Sequence, residues 1–97
     1  MIKKTNEQDG KVRATFVLPY ADGQAAVSVV GDFNGWDPAA NKLVRRKNGT
    51  RSTSVVLTPG ARYRFRYFDA DGVWFNDDEA DAFELGEHGS EDCVLVL

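Results

Sequence analysis

The stretch "ARYRFRYF", residues 61–68, alternates without a break: Tyr63, Phe65 and Tyr67 on one parity, Arg62, Arg64 and Arg66 on the other. Only an extended backbone, whose successive side chains point to opposite faces, keeps two such sets apart. A helix would spread the arginines through the apolar stripe. The segment is therefore a strand, with aromatics toward a core and an arginine ladder on the outer surface. Such a face has to be covered by a second layer.

The same period recurs along the chain. In "KVRATFVL", Val12, Ala14, Phe16 and Leu18 alternate with Lys11, Arg13 and Thr15. "AAVSVVG", residues 25–31, is a second run. "NKLVRRKNGTRSTSVVLTPG" reads as a hairpin with arms 41–47 and 50–57 around Asn48-Gly49, a pair suited to a type I′ turn. Asn48-Gly49-Thr50 also fits the glycosylation pattern, but the turn reading is preferred. "DADG" turns the chain after the arginine strand and "VWFN" returns it. A long acidic loop, "DDEADAFELGEHGSED", then leads to a last strand over 93–97. About seven short strands separated by turn signals predict an all-β fold, an antiparallel sandwich of immunoglobulin-like build. The Cys–Trp–Cys pattern of true immunoglobulin domains is absent.

Ninety-seven residues make one domain. "MIKKTNEQDG" has no apolar segment after its lysines, so no secretory signal is expected. Residues 1–9 read as a flexible tail and 10–97 as the domain. No apolar run approaches the ~20 residues of a membrane span, so a cytoplasmic location away from membranes is expected. Cys93 is the only cysteine, which rules out an internal disulfide and points to a small buried hydrophobe. All 12 Lys and Arg lie at or before Arg66, against five acids there; ten acids and no Lys or Arg follow. The basic residues are scattered over several strands and the net charge is −3, so no nucleic-acid partner is expected.

Groups that would converge for catalysis are scarce. His88 is the only histidine, with no cysteine near it, and reads as a solvated loop residue rather than a zinc ligand or base. The carboxylates Asp77, Asp78, Glu79 and Asp81 form one run, read as a solvated loop. Asp69 and Asp71 beside Gly72 faintly suggest a calcium loop, but the closing glutamate is missing and a turn is preferred. No nucleophile elbow or phosphate loop is present. The expectation is a non-enzymatic chain without metal or cofactor.

Two tryptophans stand out. "VVGDFNGWDP" places Trp36 among turn-forming residues, and Trp74 follows the "DADG" turn. One reading is that both rings close the ends of the core. The other is a sugar platform. A pyranose offers a C–H face to stack on indole and a rim of hydroxyls for planar polar groups such as Asn34 and Arg66.

"VVGDFNGWDP", "LTPGARYRFRYFDADGVWFNDDEAD" and "CVLVL" resemble the family 48 carbohydrate-binding modules over roughly residues 10–97. These are early-set immunoglobulin-like domains that precede the barrels of branching enzymes and isoamylases and form the glycogen-binding domain of the AMP-activated protein kinase beta subunit. The resemblance implies binding of α-1,4-linked glucan, glycogen or starch-like. It puts the family's stacking tryptophans at Trp36 and Trp74, its strand cation at Arg66 and its motif amide at Asn34. Asp92 stands where the family often has Asn, keeping an acceptor and losing a donor. The leucine that some members use to pierce the ligand ring has no counterpart, and His88 lies in that loop. The alternative expectation is a protein-interaction module, meeting a partner through the acidic loop 77–92 or an exposed sheet edge.

Overall fold

The computed structural model describes residues 1–86 and 89–97. Two antiparallel sheets pack face to face. One holds β1 (Ile2–Asn6), β2 (Val12–Pro19), β5 (Thr50–Leu57) and β4 (Val44–Arg45), in the order β1-β2-β5-β4. The other holds β3 (Val27–Gly31), β6 (Arg62–Asp69), β9 (Glu91–Val96) and β8 (Ala82–Leu85), in the order β3-β6-β9-β8. β7 (Trp74–Phe75) pairs with Tyr67 and Phe68 of β6, beyond Arg62–Phe65, where β9 is paired. This is the immunoglobulin-like sandwich expected from the alternation.

The core forms where the inward parities meet. Ala14 and Phe16 of β2 and Leu57 of β5 face Val29, Phe65, Tyr67, Cys93 and Leu95 of the other sheet. The Phe16 ring lies 5.1 Å from Phe65, edge-on at 63°, an arrangement that adds to simple area burial. Cys93 is fully buried, and burial pushes its thiol up to about 11, so it serves as core and not as a nucleophile.

Four expectations are corrected. Residues 1–9 are not a tail outside the domain: Ile2–Asn6 pairs along Val12–Phe16 of β2. Lys4 Nζ bonds Asp81 Oδ2 at 2.7 Å and the Val96 carbonyl at 3.0 Å, tying β1 to the opposite sheet. Burial would raise the Asp81 carboxyl, but the bonds from Lys4 and from the Val96 N–H outweigh it and hold the group below its usual range. The acidic run is not uniformly solvated. Asp77 is 4% exposed and accepts the Tyr67 hydroxyl at 2.7 Å, and Ala82–Leu85 forms β8. Burial first, and the Asp77 charge second, drive the Tyr67 hydroxyl far above its ordinary range.

The fourth correction concerns the Asn48-Gly49 hairpin. Arg46 N–H bonds the Thr50 carbonyl at 2.7 Å, so the loop is Lys47-Asn48-Gly49, with Gly49 at φ 77 and Asn48 not left-handed. A three-residue loop needs one left-handed position where type I′ needs two. The "DADG" turn, by contrast, is a turn as read: Asp69 Oδ1 accepts the N–H groups of Asp71 and Val73 at 2.9 and 3.0 Å.

Candidate functional site

The arginine ladder of β6 faces outward, and the loops at either side rise over it. Together they leave an open groove of about 690 Å3, lined by Asp32, Trp36, Arg64, Arg66, Trp74 and Asp92, among others. Four of the five residues singled out in the sequence therefore share one surface.

Trp36 reaches the groove by a tightly specified loop. β3 ends at Gly31, where an added Cβ would sit 2.8 Å from the Phe65 Cβ, so only glycine lets β3 lie this close to β6. A 3-10 turn over Asp32–Asn34 follows, then Gly35 at φ 66 and Trp36 at φ 59. Among the described residues Trp36 is the only non-glycine with a left-handed backbone, a conformation that costs about 1 kcal/mol or more. Hydrogen bonds over-determine it. Trp36 N–H bonds the Gly31 carbonyl at 3.0 Å, and the indole Nε1–H bonds Asp32 Oδ1 at 3.1 Å. The other Asp32 oxygen accepts the Arg64 backbone N–H at 2.8 Å, so the ring is referred back to β6 itself.

Asn34 does not line the groove. Its Oδ1 accepts the Gly31 N–H at 3.0 Å, and its Nδ2 donates to the Val29 carbonyl at 3.0 Å and to Asn41 Oδ1 at 2.9 Å. With both amide hydrogens engaged, the side chain is a brace for the loop rather than a free group for a ligand.

Trp74 stands on the opposite side, 42% exposed, opposite Phe68 on the outer face of β6–β7. The two ring centroids are 4.5 Å apart. Arg66 lies beside it, its Cζ 5.8 Å from the indole, within range of a cation–π attraction. Arg66 Nε donates to Asn76 Oδ1 at 2.9 Å, and Asn76 Nδ2 donates to the Glu91 carbonyl at 2.9 Å, which fixes the guanidinium over the groove floor.

The far end is ionic. Arg64 meets Glu84 at 3.0 Å and Asp92 at 3.6 Å, and Arg62 also bonds Glu84 at 2.6 Å. Asp92 is close-packed on Gly86, where an added Cβ would stand 2.9 Å from Oδ2. Sequence reasoning missed Asp32, Arg64 and Asn76. The ladder parity that flagged Arg66 also contained Arg64, whereas nothing in the sequence marks the pairing of Asp32 with Trp36 or of Asn76 with Arg66. His88 lies outside the described residues.

Flat aromatic surface, fixed guanidinium groups and carboxylate acceptors share one open face of this small β-sandwich. Among the described residues no group of His, Cys, Asp and Glu is arranged to hold a metal ion, and no helix is long and apolar enough to cross a membrane.

The chain is similar to part of the 1,4-alpha-glucan branching enzymes. It is 39% identical over 69 residues to the enzyme of Butyrivibrio fibrisolvens, covering 69% of this chain and 11% of that protein. Against the enzyme of Aquifex aeolicus it is 35% identical over 80 residues, covering 79% of this chain and 12% of the enzyme. The enzyme of Rhizobium johnstonii is 42% identical over 56 residues, covering 56% of this chain and 8% of the enzyme. The chain thus spans about a tenth of the length of these relatives. No family model matches it.

Proposed function

We propose that the chain is a non-catalytic module that binds α-1,4-linked glucan, of the family 48 carbohydrate-binding kind. One observation carries the reading: Trp36 and Trp74 line the same groove, with Arg66 in it too. Glucose units stack on the two indoles, Arg66 donates to their hydroxyls, and Asp92 accepts from them. Asn34 contributes by bracing the Trp36 loop. The relatives, named for branching 1,4-α-glucan, add support from an independent direction. Their catalytic work belongs to proteins of which the matched stretch is only 11–12%, and that small all-β stretch is suited to holding a chain rather than cutting it.

Titration with maltoheptaose, followed by tryptophan fluorescence and amide shifts, tests this. Shifts should cluster at Trp36, Arg66 and Trp74. Trp36→Ala should stay folded and lose about tenfold or more in affinity, by analogy with aromatic platforms for bases. Absence of saturable shifts at millimolar sugar rejects the proposal. A second reading rests on β8, an edge strand on which Phe83 and Leu85 are 43% and 69% exposed. Such an edge suits a protein partner. A pull-down whose capture is lost in Leu85→Lys, with no response to sugar, would favour it.

A further inference from the structure

Asp32 opens the 3-10 turn that leads to Trp36, and its carboxylate is used outside that turn. An aspartate beside a turn ordinarily caps one of the turn's own N–H groups. The Asp32 oxygens go instead to the Trp36 indole N–H at 3.1 Å and to the Arg64 backbone N–H at 2.8 Å. That second group stands one rung beyond Gly31–Phe65, the last pair that β3 makes with β6. β3 has turned away by then, and the carboxylate takes the place of its backbone.

One carboxylate thus ties the indole to the middle residue of the arginine ladder, whose guanidinium meets Asp92 at 3.6 Å. The stacking ring and the carboxylate at the far end of the groove both hang on Arg64. Asp32 is exposed, so water competes for its bond to the indole. The Arg64 N–H, donating to the other oxygen, holds the carboxylate in place for it. The bond also decides what the ring can offer. An indole has a single polar group, and that group only donates. With its N–H engaged by Asp32, Trp36 keeps no donor for a hydroxyl and presents apolar ring alone. Trp74 is positioned by other means, against Phe68.

We propose that Asp32 is a positioning residue for the glucan site. It sets the plane of Trp36 relative to β6 and reserves the ring for the C–H face of a glucose unit, leaving hydroxyls to Arg66 and Asp92. The inference rests on the glucan reading above and deepens it. At the Trp36 wall the ligand is selected by a flat apolar face, and hydrogen bonding is confined to the rest of the groove.

The test is a double-mutant cycle on the full chain, titrated with maltoheptaose and read by indole and amide NMR shifts. Asp32→Ala should move the Trp36 Nε1–H resonance toward that of a solvated indole and weaken binding about tenfold. Trp36→Phe keeps a flat ring but has no N–H, so adding Asp32→Ala to it should cost little further affinity. An Asp32 needed only to satisfy the Arg64 N–H would weaken binding by the same factor in both backgrounds, and that result overturns the proposal. In the unaltered chain saturated with sugar, the Trp36 Nε1–H should keep its bonded resonance. Its release from Asp32 on binding would mean that the N–H turns to the ligand, which also overturns the proposal. Where Asp32→Ala fails to fold, or Trp36→Phe binds too weakly to compare, this last measurement decides by itself. The two failures are distinct: no saturable response in the unaltered chain rejects the glucan reading and this role with it, whereas sugar binding undiminished in Asp32→Ala rejects the role of Asp32 alone.

Discussion

The two tryptophans of the groove are held by opposite means. Trp36 hangs on a loop whose every bond is specific: a close approach at Gly31, two successive left-handed residues and a three-way amide brace at Asn34. Trp74 sits on a strand, positioned by pairing with β6 and by its contact with Phe68. Regular pairing tolerates side-chain change because the backbone does the positioning. A braced loop does not, since each brace is a single side chain or a missing one. The Trp36 wall should therefore be the fragile one, broken by substitutions that never touch the ring.

The largest effect is expected at Gly31. In Gly31→Ala the new methyl meets the Phe65 Cβ and the Arg64 backbone, neither of which can swing away. Overpacking of this kind costs about 3 kcal/mol at its upper range. Denaturant melts should show it, with the Trp36 emission shifted toward that of a solvated indole. Unchanged stability would mean that β3 can slide off β6, and that packing does not hold this wall.

Asn34→Ala comes next. It removes one acceptor and two donated bonds inside the loop, leaving the Gly31 N–H and the Val29 carbonyl without their partner. Orphaning partly buried groups costs about 2 kcal/mol. On the other wall, Phe68→Ala removes an aromatic contact worth about 1 kcal/mol and leaves β7 paired. The comparison is broken if Phe68→Ala proves as costly as Asn34→Ala, as measured by chemical denaturation.

The difference between the walls also explains what could be read in advance. Period-two alternation in "ARYRFRYF" and "KVRATFVL" fixed which residues face the core, because a strand's parity is a local property. The same parity put Arg66 on the outer face. β1 escaped notice because "IKKTN" has one apolar residue, and its place depends on a partner strand and on Lys4 reaching Asp81. β8 differs: Phe83 and Leu85 share one parity of "AFEL", a strand signal masked by the acidic residues on either side, and its pairing with β9 reveals it. In the site, the rings and the guanidinium were legible as residue types. The roles of Asn34, Asp32 and Asn76 were not, since a side-chain amide or carboxylate serves a loop or a ligand equally well until its partners are known.

The smallest effect separates strain from packing. Trp36 has φ 59, which a glycine adopts freely, whereas Trp74 lies in a strand, where glycine is disfavoured. Trp36→Gly loses the ring's contacts but recovers the backbone strain; Trp74→Gly loses its contacts and adds a backbone penalty. Trp36→Gly should therefore be the less destabilised of the two by about 1 kcal/mol, while both lose sugar affinity. Paired urea melts measure this. If the order is reversed, the indole bond to Asp32 and the packing of the Trp36 ring outweigh the strain, and the ring is a structural cap rather than a side chain held out for a ligand.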